Sequence, residues 1–358
     1  MNATLSPRGR RTVTALRIAA QGIARPASAG PADPVEVVRS LLAMQAQDYL
    51  GVLWSLGLRT GADEVAVEAA HTSGAIVRSW PMRGTLHLVA AEDLGWMLSL
   101  TGERIVRLAA GRHRQLQLTD DDFARAAAIA RDRLSGGGRA DRAHLLEAFR
   151  AGGVSTDGQR GIHLLGNLAH TGLVVMSGRT EYALLDEHVR EPRHLEPDAA
   201  ADEFALRYFT GHGPATVRDL AWWTGLPLTL VRAATERVRD RLDELVVDGV
   251  VHYLRPGLEP AAGVHLLPGF DEYLLGYGDR SAALAPEHAD AIVPGSNGMF
   301  LPTIVSRGEV LGTWRRGRGT KTLTLELQPF EPLPVTVERA AWAAARRYAA
   351  FAGKPLAG

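Results

Sequence analysis

The chain has 358 residues, balances 40 Lys+Arg against 40 Asp+Glu, and contains no cysteine. That length gives room for roughly two to four domains with cores of their own. The missing cysteines exclude disulfides and thiolate metal sites, and the zero net charge argues against coating nucleic acid by bulk electrostatics. No apolar run approaches the roughly 18 residues of a membrane span. No signal-peptide pattern heads the chain, so a soluble, cytoplasmic protein is expected.

The charge is unevenly placed. Between Met1 and Ala32 there is no acid, while Arg8, Arg10, Arg11, Arg17 and Arg25 are basic. Further basic clusters follow at Arg104, Arg107, Arg112, His113 and Arg114, and at Arg307, Arg315, Arg316, Arg318 and Lys321. Local basic faces are therefore expected on a neutral molecule.

Taken in chain order, the pattern predicts helices near 12–23, 35–44 and 65–71, then strands near 76–80 and 85–89 turning at Pro81-Met82-Arg83-Gly84. Helices at 142–149 and 160–170 follow a lead helix set off by Gly136-Gly137-Gly138, with a hairpin over 173–184. The clearest unit starts at Thr216-Val217-Arg218-Asp219, a capping box ahead of an apolar helical stripe. Gly225-Leu226-Pro227 ends that helix, a second helix over 228–242 carries Arg232, and strands at 245–247 and 250–253 flank Asp248-Gly249, which suits a type I′ turn. Helix, turn, helix and hairpin describe a winged helix. Beyond about 261 the character changes to short strands at 303–306, 309–314 and 322–327 and a closing helix at 337–351, an antiparallel β-rich element of barrel-like character.

The expected fold is α+β: three tandem winged-helix domains with a C-terminal antiparallel β-rich element. The expected boundaries are 1–120, 121–192, 193–260 and 261–358, with the candidate motif in the first. Tandem units of this kind can line a surface long enough to follow a duplex.

Standard catalytic signatures are missing. There is no Gly-rich phosphate loop, no dinucleotide fingerprint, no His-Glu-x-x-His and no Gly-x-Ser-x-Gly. His163 and His170 share a predicted helix, but nothing beside them completes a metal site. No metal and no cofactor is expected.

What remains is Gln45-Ala46-Gln47, where the helical stripe Val35, Val38, Leu41, Leu42 fails. A continued helix would set the two amides about 200° apart. A chain that leaves the helix near Met44 and extends puts both on one side and Asp48 on the other. Glutamine does not titrate near neutrality, so the pair cannot be an ordinary general base. It can orient water and stabilise a cationic transition state when the leaving group is already activated. An alkylated purine nucleoside is such a substrate, because a cationic base weakens its own glycosidic bond.

Four stretches carry a family resemblance: 41–47, Arg78-Ser79-Trp80-Pro81-Met82-Arg83-Gly84-Thr85-Leu86-His87-Leu88, Leu266-Leu267-Pro268-Gly269-Phe270-Asp271-Glu272-Tyr273, and Gly298-Met299-Phe300-Leu301-Pro302-Thr303-Ile304-Val305. Over nearly its whole length the chain resembles the HTH_42 winged-helix DNA glycosylases, the AlkZ- and YcaQ-like group. AlkZ-like members carry Gln-x-Gln, which Gln45 and Gln47 match; YcaQ-like members carry Gln-x-Asp, from which Gln47 departs. The resemblance implies catalysis by Gln45 and Gln47. It also implies monofunctional excision of bulky N7-alkylguanine or N3-alkyladenine, interstrand crosslinks included, in repair or in self-resistance to a DNA-alkylating natural product. Lysine scarcity agrees, since a β-lyase needs an amine and Lys321 and Lys354 are the only lysines.

The partner is then double-stranded DNA carrying alkylated purines, bound by a monomer. Candidate DNA contacts are Arg83 and His87 in the first wing, Arg218 and Arg232 in the third unit, and Arg316, Arg318 and Lys321 near the C-terminal hairpin. For Arg83 and His87, wing packing is an equal alternative. Asp48 reads as a cap or turn residue before a water-activating carboxylate, Asp271 and Glu272 as core hydrogen-bonding groups, and Trp80, Trp222 and Trp223 as core before base-stacking platforms. Two other readings of the same fold are a winged-helix transcriptional regulator and a catalytically silent paralogue that binds lesions.

Overall fold

The computed structural model describes residues 5–25, 30–317 and 322–357. The chain divides into two compact units, one of Met1–Glu68, Asp202–Trp223 and Pro227–Gly358, the other of Ala69–Ala201 and Thr224–Leu226.

In the first unit, helix Pro7–Ala20 starts where the Ser6 hydroxyl accepts from the Gly9 N–H at 3.1 Å. Helix Pro34–Leu41 starts where the Asp33 carboxylate accepts from the Val35 N–H at 2.8 Å. Both are capped as expected of Ser and Asp before a Pro-led first turn. The second stops at Leu41, short of the expected position 44. At Leu42 the backbone takes φ 65° and ψ −47°, and the Ala43 N–H donates to the Leu41 carbonyl at 2.7 Å. This is a γ-turn of the rare positive-φ kind, a strained way to end a helix. The chain leaves it extended through Met44–Gln45.

Helix Tyr49–Thr60, absent from the expected elements, follows at once and ends at Gly61 in the left-handed conformation. Nearly all of it is buried, so it shows no amphipathic stripe to read. Trp54 packs its ring 5.1 Å from Tyr348 and 5.2 Å from Phe351 on the closing helix Val335–Phe351. Gly57 admits the Phe351 ring so closely that a β-carbon there would collide with Cε2 and Cδ2.

The capping box at Thr216 forms as expected, with the Asp219 carboxylate accepting from the Thr216 N–H at 3.0 Å and the Asp219 N–H donating to the Thr216 hydroxyl at 3.1 Å. Helices Val217–Thr224 and Leu228–Val238 follow. The second is shorter than expected because the chain tightens into a 3₁₀ turn at Arg239–Arg241. Strands Asp243–Val247 and Val250–Leu254 then pair with Val247 opposite Val250. Asp248 and Gly249 both have positive φ, 49° and 80°, as a type I′ turn requires.

The C-terminal strands form an open antiparallel sheet in the order Leu325–Pro329, Glu309–Arg316, Thr303–Ser306, Val264–Leu267. This corrects the barrel-like expectation. The unexpected strand Val264–Leu267 forms one edge and packs against helix Val335–Phe351. Trp54 and Trp314 pin it by donating their indole N–H groups to the carbonyls of Leu266 and Leu267 at 2.7 and 2.8 Å.

In the second unit, strands Thr85–Ala90, Ile76–Met82, Val174–Ser177, Glu181–Leu184 and Ala140–Asp141 lie side by side in that order. Two expected hairpins thus share one sheet, joined where Arg78 faces Met176. The first hairpin turns at Arg83-Gly84, both with positive φ, and its register shifts between Ser79 and Met82. Pro81 lies in that interval and has no N–H to give the ladder. Helices Leu94–Gln115, Asp120–Leu134, Arg142–Ala151 and Arg160–His170 complete the unit, with Phe149, Leu164, Leu165, Leu168, Val174 and Leu184 at its core.

Candidate active site

The γ-turn at Leu42 sets the geometry of the glutamines. With the helix ended, Gln45 and Gln47 share a side, and Gln45 Nε2 donates to Gln47 Oε1 at 2.7 Å. Gln45 is 7% exposed while Gln47 is solvent-exposed, so the pair stands at a boundary between core and solvent. Asp48, expected as a cap or turn residue at the exit of the preceding helix, occupies instead the N-cap position of helix Tyr49–Thr60, where its side chain makes no capping hydrogen bond and lies against Gly51.

Behind Gln45 sits a buried polar layer. Glu272, 1% exposed, accepts the Gln45 backbone N–H on Oε1 at 2.8 Å and the Trp223 indole N–H on Oε2 at 2.9 Å. His212 Nε2 stands 3.5 Å from the same Oε2, its ring stacked 4.8 Å from that of Tyr208. Next to Glu272, the Asp271 carboxylate receives Arg59 through both oxygens at 2.9 Å and the Ser55 hydroxyl at 2.6 Å. Burial pushes the Asp271 carboxyl up. The Arg59 charge and the hydrogen bonds from Arg59, Ser55 and the Tyr273 N–H outweigh it and hold the group below the usual carboxylate range. Arg59 also donates to Gln21 Oε1 at 2.9 Å, and Gln21 Nε2 donates to the Tyr277 hydroxyl at 3.0 Å. Asp271 and Glu272 are thus core hydrogen-bonding groups, as the sequence suggested. Arg59, His212 and Gln21 were not singled out, and no local pattern marks them, since Asp271 and Glu272, around which they gather, are remote in sequence.

The predicted DNA contacts are spread out. Arg218 and Arg232 are exposed and line a cleft of about 650 Å³ in the first unit with Arg17, Trp222, His252 and Tyr253. Arg316 is exposed too, but it donates to the Tyr348 hydroxyl at 3.2 Å. Arg318 and Lys321 lie outside the described residues. Arg83 and His87 belong to the second unit. Arg83 is half-buried at the first turn. His87 is wholly buried, its Nδ1 2.8 Å from the Thr85 carbonyl oxygen. That corrects its assignment as a DNA contact, because a side chain without exposed surface cannot reach a duplex, and wing packing is its role.

Of the tryptophans, Trp223 is fully buried as expected, whereas Trp222 is 37% exposed, with the Arg280 guanidinium 5.0 Å from its ring. Trp80 is half-buried and meets the His170 ring edge-on at 6.5 Å. Among the described residues no cluster of histidine, aspartate and glutamate suits a metal ion, and no helix is long and apolar enough to cross a membrane.

Comparison with known proteins matches this arrangement to one family. The family model described as DNA glycosylase AlkZ-like covers residues 38–351. An interstrand DNA cross-link repair glycosylase of Streptomyces sahachiroi is 28% identical over 309 residues, spanning 78% of this chain and 81% of that protein. The solved structure of the Streptomyces sahachiroi DNA glycosylase AlkZ superposes with a TM-score of 0.80 at 25% identity, covering 97% of this chain and 98% of that one. The regulator reading gives way to an enzymatic one: the chain belongs to the AlkZ-like DNA glycosylase family and is a DNA glycosylase.

Proposed function

We propose that the chain is a monofunctional glycosylase of the Gln-x-Gln kind that hydrolyses bulky N7-alkylguanine and N3-alkyladenine, interstrand crosslinks included. It would act as a monomer in repair or in self-resistance to a DNA-alkylating natural product. The observation that carries this reading is the Gln45–Gln47 amide pair, joined by a hydrogen bond at the end of the short strand Met44–Gln45. Alkylation leaves the purine cationic, so the glycosidic bond breaks with its electron pair going to the base, which departs neutral. Water then adds to C1′ of the oxocarbenium-like sugar and releases its proton to solvent. Gln45 and Gln47 orient that water and their amide dipoles stabilise the cation, with no proton taken by either side chain. The cross-link activity named for the Streptomyces sahachiroi relative supports the wider substrate range.

In this reading the three helix–turn–helix–hairpin units track phosphates, with Arg83, Arg218, Arg232 and Arg316 among the contacts. A crosslinked base is tethered to the opposite strand, so an open site is favoured over full extrusion into a pocket. The test is base release from duplexes carrying a single bulky N7-alkylguanine, and from the corresponding crosslink, with parent protein beside Gln45→Ala and Gln47→Ala. Release of free alkylpurine that leaves an abasic site, without a borohydride-trapped adduct, is expected. Tight binding to adducted DNA with no base released identifies a silent paralogue, and a trapped adduct identifies a lyase.

A further inference from the structure

We propose that Glu272 is the positioning residue of the Gln45-Ala46-Gln47 motif: its buried carboxylate fixes the Gln45 main chain so that the amide pair is held in its reactive geometry. The inference rests on the reading of that pair as the water-orienting site.

An extended segment makes no backbone hydrogen bonds within itself, unlike a helix with a bond at each residue. The Gln45 N–H nevertheless has an acceptor, Glu272 Oε1 at 2.8 Å, and that oxygen is immobile for reasons visible around it. Oε2 is held at 2.9 Å by the indole of Trp223, which is 0% exposed. The preceding residue, Asp271, is clamped by Arg59 and Ser55. The following Tyr273 hydroxyl donates to the Gly308 carbonyl at 2.6 Å, and Gln21 Nε2 donates to the Glu272 carbonyl at 3.3 Å. A rigid base thus presents one acceptor to the residue that carries the first glutamine. Two buried N–H donors converge on this one side chain, and only a carboxylate offers each of them an oxygen. A glutamine at 272 has a single oxygen, so either the Gln45 N–H or the Trp223 indole must face an NH₂ group.

That conflict supplies the test, read as the single-turnover rate of base release from an N7-alkylguanine duplex beside the duplex Kd and the melting temperature. Glu272→Gln is expected to slow release by roughly 10- to 100-fold while Kd stays within about threefold. Trp223→Phe removes the competing donor and sets the reference rate for the double variant. The double variant Glu272→Gln, Trp223→Phe frees the amide oxygen for the Gln45 N–H and is expected to recover to within about fivefold of the Trp223→Phe rate. A parent-like rate for Glu272→Gln overturns the proposal, as does a loss that the folded double variant fails to recover. If these variants do not fold, hydrogen exchange of the parent decides: a Gln45 amide as protected as the buried helices supports the anchor, and exchange as fast as in exposed loops overturns it. A parent that releases no base sinks the underlying reading. Release that needs Gln45 yet ignores Glu272 sinks only this inference.

Discussion

Gln45 Nε2 donates to Gln47 Oε1 at 2.7 Å, an orientation that turns the oxygen of Gln45 and the amide NH₂ of Gln47 away from their mutual bond, one to accept and the other to donate. Groups that share one water act as a unit and their losses do not add. Gln45→Ala and Gln47→Ala are each expected to slow base release by roughly 10²- to 10³-fold, and the double variant to be no slower than about the worse single one. Multiplying losses in single-turnover assays would mean two independent roles.

Arg59 and Asp271 form a buried ion pair with side chains 1% and 3% exposed. Removing either partner alone leaves an uncompensated charge, so Arg59→Met or Asp271→Asn is expected to cost about 3–5 kcal/mol in urea unfolding. The double variant is expected to regain much of it. Because the Asp271 pKa is lowered, its stabilisation is present above the ordinary carboxylate pKa of about 3.9 and is lost as pH falls through the folded value. Losses that simply add in the double variant would contradict the pairing.

Gly57 meets Phe351 too closely for a β-carbon. Gly57→Ala is expected to destabilise by about 1–3 kcal/mol through overpacking, and Phe351→Leu in the same chain to relieve part of it. A melting temperature unchanged by Gly57→Ala would show that the helix can shift without cost.

His265 and His71, 4% and 1% exposed, are both lowered to about 4, His265 by burial and then Arg347 and Arg59, His71 by burial and then Arg78 and His188. The unfolded chain binds these protons near pH 6.5 and the folded chain does not until about 4. Their contribution is therefore intact above about pH 6.5 and falls as pH drops towards 4, by about 2 kcal/mol per histidine at pH 5. Both ring nitrogens of His265 lack a hydrogen-bond partner among the described residues, so His265→Leu is expected to fold at pH 7 and to lessen the acid sensitivity by that amount. Urea midpoints at the two pH values check it, and an unaltered pH slope counts against the assignment.

Arg218 and Arg232 make no ion pair among the described residues and flank the same cleft. If they contact phosphates, each substitution by alanine weakens duplex binding without regard to sequence and reduces the slope of log K against log salt by about 1. Binding titrations across salt concentrations decide this, and an unchanged slope removes the residue from the interface.

Much of the local architecture was readable because it depends on neighbours in sequence. The capping box at Thr216 and the Asp248-Gly249 turn announce themselves through residues that favour a particular backbone, whereas the helix end at Leu41, short of the expected Met44, was hidden because nothing about Leu42 marks a positive φ. Helix Tyr49–Thr60 did not announce itself either, since a helix buried on nearly every side has no polar face to set its period. The second layer of the site was also illegible, because Glu272 and the Gln45 N–H it accepts are 227 residues apart and nothing in either segment names the other. Nor could sequence tell that Arg316 leans on Tyr348 or that His87 is enclosed, since both facts belong to tertiary packing.

The reversal at Leu42 makes the interval between helix and motif a counted length. Alternate residues of an extended chain face opposite sides, so deleting or inserting one residue between Leu41 and Gln45 would turn Ala46 towards the substrate and both amides away. Changes of identity in that interval alter packing and, at Leu42, backbone strain, whereas a change of number inverts the parity of the site. Family members are then expected to vary in the letters between the helix end and the first glutamine far more readily than in how many there are.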